Sequence, residues 1–254
     1  SSTSRGLGDV YKRQILRVMR DFIKWVSNRH LPARIWQGLK QNFVPGLILW
    51  ILGLGLVGTY YLVESARPLF LQIIAWKQDY GYAYSAFSTA LFGGLLPFVF
   101  MKLTGRGGRE SPLLCGLIFV IYWAFRGVDV DAFYRLQAMI FGSGVGWRTI
   151  ASKVLVDQFV YCVFWATPVT ALFYAWMDVG FSVKRLKAEK SWSEIFDLIL
   201  IFTVSTWMVW IPGTAIIYSL PSPLQIPLFN LTLCFFVILV SLFGNQSNTT
   251  GKRV

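Results

Sequence analysis

Twenty consecutive residues without a formal charge, 158–177, constrain this chain more than any other feature. A helix of that length rises about 30 Å, the thickness of a bilayer's hydrocarbon core. Five more uncharged runs occupy 43–63, 83–101, 112–125, 198–218 and 224–243, with the charges gathered in the connections. In lipid every backbone N–H and C=O must be satisfied inside the protein, and runs of this length do so as helices. The expected fold is all-α, a polytopic transmembrane helical bundle of six spans. The run 112–125 has only fourteen residues. It crosses if Arg126 snorkels and 127–130 extend it; otherwise five spans result.

Lys and Arg favour the cytoplasmic side of a membrane, or its organellar equivalent. Six spans place 18 of them on the side of both termini and 6 on the other, whereas five spans, which separate the termini, give 16 and 8. The stronger bias belongs to six spans with both termini inside. Composition agrees: 55% of the chain is hydrophobic and 14% charged, against roughly 45–50% and 25% in soluble domains. A formal charge of +12 would suggest nucleic acid in a soluble protein. Beside apolar spans, its partner is instead a bilayer with anionic headgroups.

The chain divides into a Ser-, Gly- and Arg-rich opening at 1–14, a basic arm at 15–42, the apolar domain at 43–243 and a polar tail at 244–254. The opening resembles translated adapter sequence and is set aside from fold reasoning. In the arm, Ile15, Met19, Phe22 and Val26 share one helical face, and Arg17, Arg20 and Lys24 occupy others. That is the pattern of an amphipathic helix on the inner surface. Phe133, Leu136 and Ile140 repeat it before Gly142 and predict a short interfacial helix between the third and fourth spans. Pro221 and Pro223 leave room only for a tight hairpin between the last two spans.

Association in lipid relies on close packing, so small residues at helical spacing mark contacts. The second span carries Ser85, Thr89 and Gly93 beside Ala86, Ala90 and Gly94; the fourth carries Thr167, Ala171 and Ala175. These faces nominate the two helices for the bundle centre.

Residues with chemistry to offer are few. Cys115, Cys162 and Cys234 lie in apolar runs without pair spacing, and the single histidine, His30, is in the arm. Neither a metal, a disulfide nor a cofactor is expected, and the chain reads as a non-enzyme. The glycines of 105–108 follow no strand and precede no Lys-Ser/Thr, which leaves a turn. Asp157 is harder to set aside, because an acid in a membrane helix is a functional hypothesis by default. If its helix enters lipid at Val154, Asp157 is about 4–5 Å deep and can pair with Lys153 one turn earlier. If the helix starts near Trp147, the acid is deeper and must face protein or water. Asn230 lies about 9 Å into the last span and needs a partner across helices. With Gln158 and Gln225 it either lines a polar path or fastens helices together.

Four stretches, "FGGLLPF", "KVLVDQ", "STWMVWIPG" and "LPSPLQIPLFNLTLCFFVILVSLF", resemble the Mpv-seventeen/peroxisomal membrane protein (Mpv/PMP) family. Its Lys-x-x-x-Asp-Gln motif matches Lys153, Asp157 and Gln158; its tryptophan element is approached by Trp207, Trp210 and Pro212, with Ile211 inserted; its closing segment agrees at Pro221, Asn230 and Ser241. The departures are a proline delayed to Pro168, Ala215 for a glutamine, Gln225 for a basic residue, Phe236 for a tryptophan, and an inserted 112–146. The resemblance, covering 83–103 and 152–243, implies a core of about four membrane helices with the first and third segments added. It also implies channel-like passage of small solutes or ions and a role in membrane homeostasis. The location it implies is a mitochondrial inner or peroxisomal membrane, or the cytoplasmic membrane in a bacterium. Asp157 and Gln158 would then sit at the mouth of a path partly lined by Asn230 and Gln225. The rival expectation is a non-conducting scaffold or assembly protein; a lipid-handling enzyme ranks third. A second copy of the chain is a further candidate partner.

Overall fold

The computed structural model describes residues 30–104 and 113–244. The opening at 1–14, the amphipathic face at 15–26, the turn at 105–108 and the tail from 245 lie outside the described residues. Within them the secondary structure is helical, without strands.

Helix α1 is Leu31–Leu62, so 31–42 of the expected arm belongs to the first membrane helix. Pro32 sits in its first turn, where a missing N–H leaves no bond unmade. A 3₁₀ turn, Glu64–Ala66, leads to α2, which runs Arg67–Thr89, a π-helical stretch Ala90–Leu95, and Leu96–Leu103. Helix α3 is Leu113–Phe141. Helix α4 combines Trp147–Val156, a π-helical stretch Asp157–Ala166 and Thr167–Asp178. Then come short α5, Val183–Glu189, capped by Ser182, and α6, Trp192–Tyr218. The α6 start is a capping box, with Ser191 and Glu194 each satisfying the other's backbone N–H. Helix α7, Ser222–Gly244, follows after the proline hairpin, where Leu224 N donates to Pro221 O at 2.9 Å.

Five stretches are long and apolar enough to cross a membrane: Leu31–Leu62, Glu64–Leu103, Trp147–Met177, Trp192–Tyr218 and Ser222–Val240. The protein is therefore an integral membrane helical bundle. Helix α3 packs beside them as a sixth long helix. A Cβ at Gly94 would meet Val120, one at Gly116 would meet Phe98, and one at Gly127 would meet Ser85 and Thr89; further along, Lys77 bonds Asp131. Helix α3 thus retraces α2 antiparallel through the same layer. Its 29 residues span about 43 Å.

Of the two alternatives for the third run, the lengthened one is present, since the helix continues through Arg126 and 127–130. One expectation is corrected: the interfacial helix carrying Phe133, Leu136 and Ile140 is not a separate element. Nothing breaks the helix at Arg126, because Arg126 pairs with Asp129 one turn on, and Asp131 is paired with Lys77 of α2. Charges that would have ended an isolated membrane helix are met by protein instead. Phe133 accordingly stacks on Tyr161 of α4, while Leu136 and Ile140 stay exposed.

Helix α1 lies along α6. Asn42 Nδ2 donates to Ser205 O and Trp50 Nε1 to Val209 O, each at 3.0 Å, and Gly46 and Gly53 let Val209 and Ile216 come close. One core cluster joins Val130, Tyr134 and Val154 to Ile217, Tyr218, Leu224 and Ile226. A second joins Phe119, Tyr122 and Trp123 to Phe173 and Leu233. The small faces serve different partners. Ser85, Thr89, Gly93 and Gly94 of α2 are buried against α3 and α7, with Ala86 and Ala90 half-buried beside them. Thr167, Ala171 and Ala175 are buried on the half of α4 that packs on α6.

Both π-helical stretches end two residues before a proline, Pro97 in α2 and Pro168 in α4. Proline lacks an N–H, and its ring collides with the carbonyl four residues back. Widening the preceding turn absorbs that conflict and re-aims the side chains on it.

Candidate functional site

The widened turn of α4 begins at Asp157, ten residues after the helix starts at Trp147. The longer of the two helices considered for this acid is the one present, and protein encloses the carboxylate: Asp157 is 4% exposed. Tyr218 OH donates to its Oδ2 at 2.5 Å, Gln158 Nε2 to its Oδ1 at 2.9 Å, and Cys162 Sγ to the same oxygen at 3.5 Å. Tyr218 OH in turn accepts from Gln137 Nε2 at 3.1 Å. Tyr218, the last residue of α6, thus ties the end of that helix to the widened turn of α4. Lys153 makes no ion pair with Asp157. Its Nζ lies 5.7 Å from the centroid of the Tyr218 ring, so Tyr218 is engaged by Asp157 at its hydroxyl and by Lys153 over its face.

From Asp157 and Gln158 a cavity of about 140 Å³ extends between α3, α4, α6 and α7. Its lining runs from Asp157 to Tyr174 on α4 and from Phe202 to Thr214 on α6, or roughly 18–25 Å along the helix axes. Trp210 and Phe229 contribute apolar wall, and Thr170, Thr206 and Thr214 contribute hydroxyls. Each of these threonines donates to a carbonyl of its own helix. Gln158 is 1% exposed; its backbone oxygen accepts from Trp207 Nε1 at 3.1 Å, whereas its Oε1 has no partner among the described residues.

Arg126 also lines the cavity, with its charge engaged. It pairs with Asp129 on its own helix, and that carboxylate accepts further bonds from Tyr161 OH at 2.8 Å and Trp165 Nε1 at 3.1 Å on α4. The result is a polar clasp between α3 and α4 inside an apolar surround.

A second charged cluster sits apart, between α2 and α3. At Gly81 the backbone of α2 adopts φ 50° and the helix kinks. Lys77 Nζ donates to the freed Gly81 O at 3.0 Å, to Ser85 Oγ at 2.9 Å and to Asp131 Oδ2 at 2.7 Å. Arg135 adds a 3.2 Å contact to the other oxygen of Asp131.

Of the four residues nominated for a polar path, Asp157 and Gln158 line the cavity, and Asn230 and Gln225 do not. Asn230 Oδ1 accepts from Thr89 Oγ1 at 2.7 Å and its Nδ2 donates to Ser88 Oγ at 2.8 Å, fastening α7 to α2. Gln225 Nε2 donates to Leu220 O at 3.0 Å within the hairpin. Of the residues that carried the family resemblance, Lys153, Asp157, Gln158, Trp207 and Trp210 gather at this end of the cavity, while Pro212 lies within α6, Pro221 in the turn and Ser241 on α7. Sequence reasoning missed Tyr218, Gln137, Tyr161 and Arg126. The spacings Arg126 to Asp129, three residues, and Asp131 to Arg135, four, were the available signal for α3; Tyr218, at the end of an apolar run, gave none. Comparison with family models, with curated proteins and with solved structures returned no match.

Proposed function

We propose that this integral membrane protein is channel-like, passing small solutes or ions along the cavity bounded by α3, α4, α6 and α7. One observation carries the reading: a cavity elongated along the helix axes, with an enclosed carboxylate at one end. An acid inside a membrane bundle is expensive to keep and marks pathways more often than packing. The Lys-x-x-x-Asp-Gln and tryptophan residues meet at that end, which supports a protein of the Mpv/PMP kind. Asn230 and Gln225 are not part of the proposed path. The reading is one of passage, not catalysis. The end of the bundle bearing the α1 start, Lys102 and the basic α5 faces the cytoplasm or its equivalent, by the distribution of Lys and Arg.

The test is release of size-graded, charged solutes from liposomes holding the purified protein. Release limited by solute size, with a cation preference reduced in Asp157→Asn, is the expected result. Unchanged selectivity in a well-folded Asp157→Asn would count against it.

A non-conducting scaffold is the second reading, favoured by the close α2–α3 approach at Gly94, where an added Cβ would stand 3.1 Å from the Val120 backbone. Under it, Gly94→Leu disturbs assembly while liposomes stay tight with wild-type protein.

A further inference from the structure

We infer that the Asp157 end of the cavity is a binding site for small primary-ammonium compounds, which names the solute class of the passage proposed above and rests on that reading. A carboxylate accepts at about four positions. Three donors occupy Asp157, from Tyr218, Gln158 and Cys162, and all three are neutral groups. Neither nearby cation is bonded to Asp157. Arg126 is paired with Asp129, and Lys153 stands over the Tyr218 ring and is not among the lining residues. The charged side chains on the cavity lining are Asp157 and Arg126; Arg126 is balanced by Asp129, so Asp157 is the lining carboxylate with no cation bonded to it.

Gln158 supplies the second, independent observation. Its Oε1 is buried without a partner on a residue that lines the cavity. Rotating the amide would not relieve this, since its Nε2 is the donor that Asp157 needs. Gln158 Oε1 is therefore an unfilled acceptor enclosed beside the Asp157 carboxylate, which a donor entering from the cavity would satisfy. A complementary ligand brings N–H donors and a positive charge together, which a primary ammonium does. Tyr134, Tyr161 and Trp210 line the same cavity, and aromatic faces favour a cation while accommodating a short alkyl chain. The cavity of about 140 Å³ is about ten times what one water needs by the same measure, enough for an amine of a few carbons.

The test is titration calorimetry of the full chain in detergent with ethylammonium, tetramethylammonium, sodium and ethanol. Saturable ethylammonium binding, at least tenfold tighter than that of tetramethylammonium or sodium and without detectable ethanol binding, is expected. In Gln158→Leu the ethylammonium affinity falls about tenfold or more. Equal binding of tetramethylammonium would remove the role of the N–H donors, and equal binding of sodium would make this a general cation site; either overturns the inference, as does absence of ethylammonium binding. The comparison among ligands uses wild-type protein, so it stands even if the variant does not fold. Ethylammonium binding without solute release from liposomes sinks the passage and keeps the site. Release without ethylammonium binding does the reverse.

Discussion

Tyr218 joins the sequence's one conspicuous acid to the rest of the bundle. Its hydroxyl bonds Asp157 and Gln137, and both side chains are buried. Tyr218→Phe leaves those groups short of a partner and is expected to destabilise the fold by about 1–3 kcal/mol, read as a lower thermal midpoint in detergent. The Lys77–Asp131 pair gives a sharper prediction. Removing one member of a buried pair costs about 3–5 kcal/mol, whereas replacing both by apolar residues is often neutral. Asp131→Leu should therefore lose most stability, and Lys77→Met with Asp131→Leu should recover most of it. Asp157 and Gln158 were legible because an acid beside an apolar run is anomalous on its face. Lys77 was not. A charge in a moderately polar stretch reads as a connection until its partner is known, and that partner lies 54 residues away on another helix.

At the scale of elements, α3 shows how a membrane helix can be hidden. Its first half reads as an apolar run and its second as a surface helix. One continuous element results because Gly127 lets α2 approach and the charges find partners in α2 and α4. An added Cβ at Gly127 would collide with the Ser85 carbonyl, a backbone atom that cannot step aside. Gly127→Ala is expected to destabilise by about 1–3 kcal/mol. Gly55 and Gly58 on α1 have open space around a Cβ, so alanine there should be neutral or stabilising by up to about 1 kcal/mol. Thermal midpoints of the three variants in one detergent decide whether the α2–α3 approach is as tight as described. The hairpin before α7 and the small face of α2 were readable from prolines and spacing. The π-helical stretches were not, since Pro97 and Pro168 announce a disturbance without saying how the turn absorbs it.

For the whole molecule, apolar run lengths and the asymmetry of Lys and Arg carry the class, because a bilayer's thickness and its charge rules act on composition directly. The cavity is a different kind of fact. It arises from four helices that meet across up to 114 residues of sequence, from Trp123 to Val237, and no periodicity within one of them marks it. The central claim is that this space carries solute, and cysteine substitution tests it most directly. With Cys115, Cys162 and Cys234 replaced by serine, Thr206→Cys and Thr214→Cys place thiols on the cavity lining, and Leu54→Cys places one on the exposed face of α1. The expected result is that a water-soluble methanethiosulfonate modifies both cavity thiols and slows solute release from liposomes, with release by Leu54→Cys unchanged. Cavity thiols that stay unmodified, or that are modified while release continues at its former rate, would contradict the account.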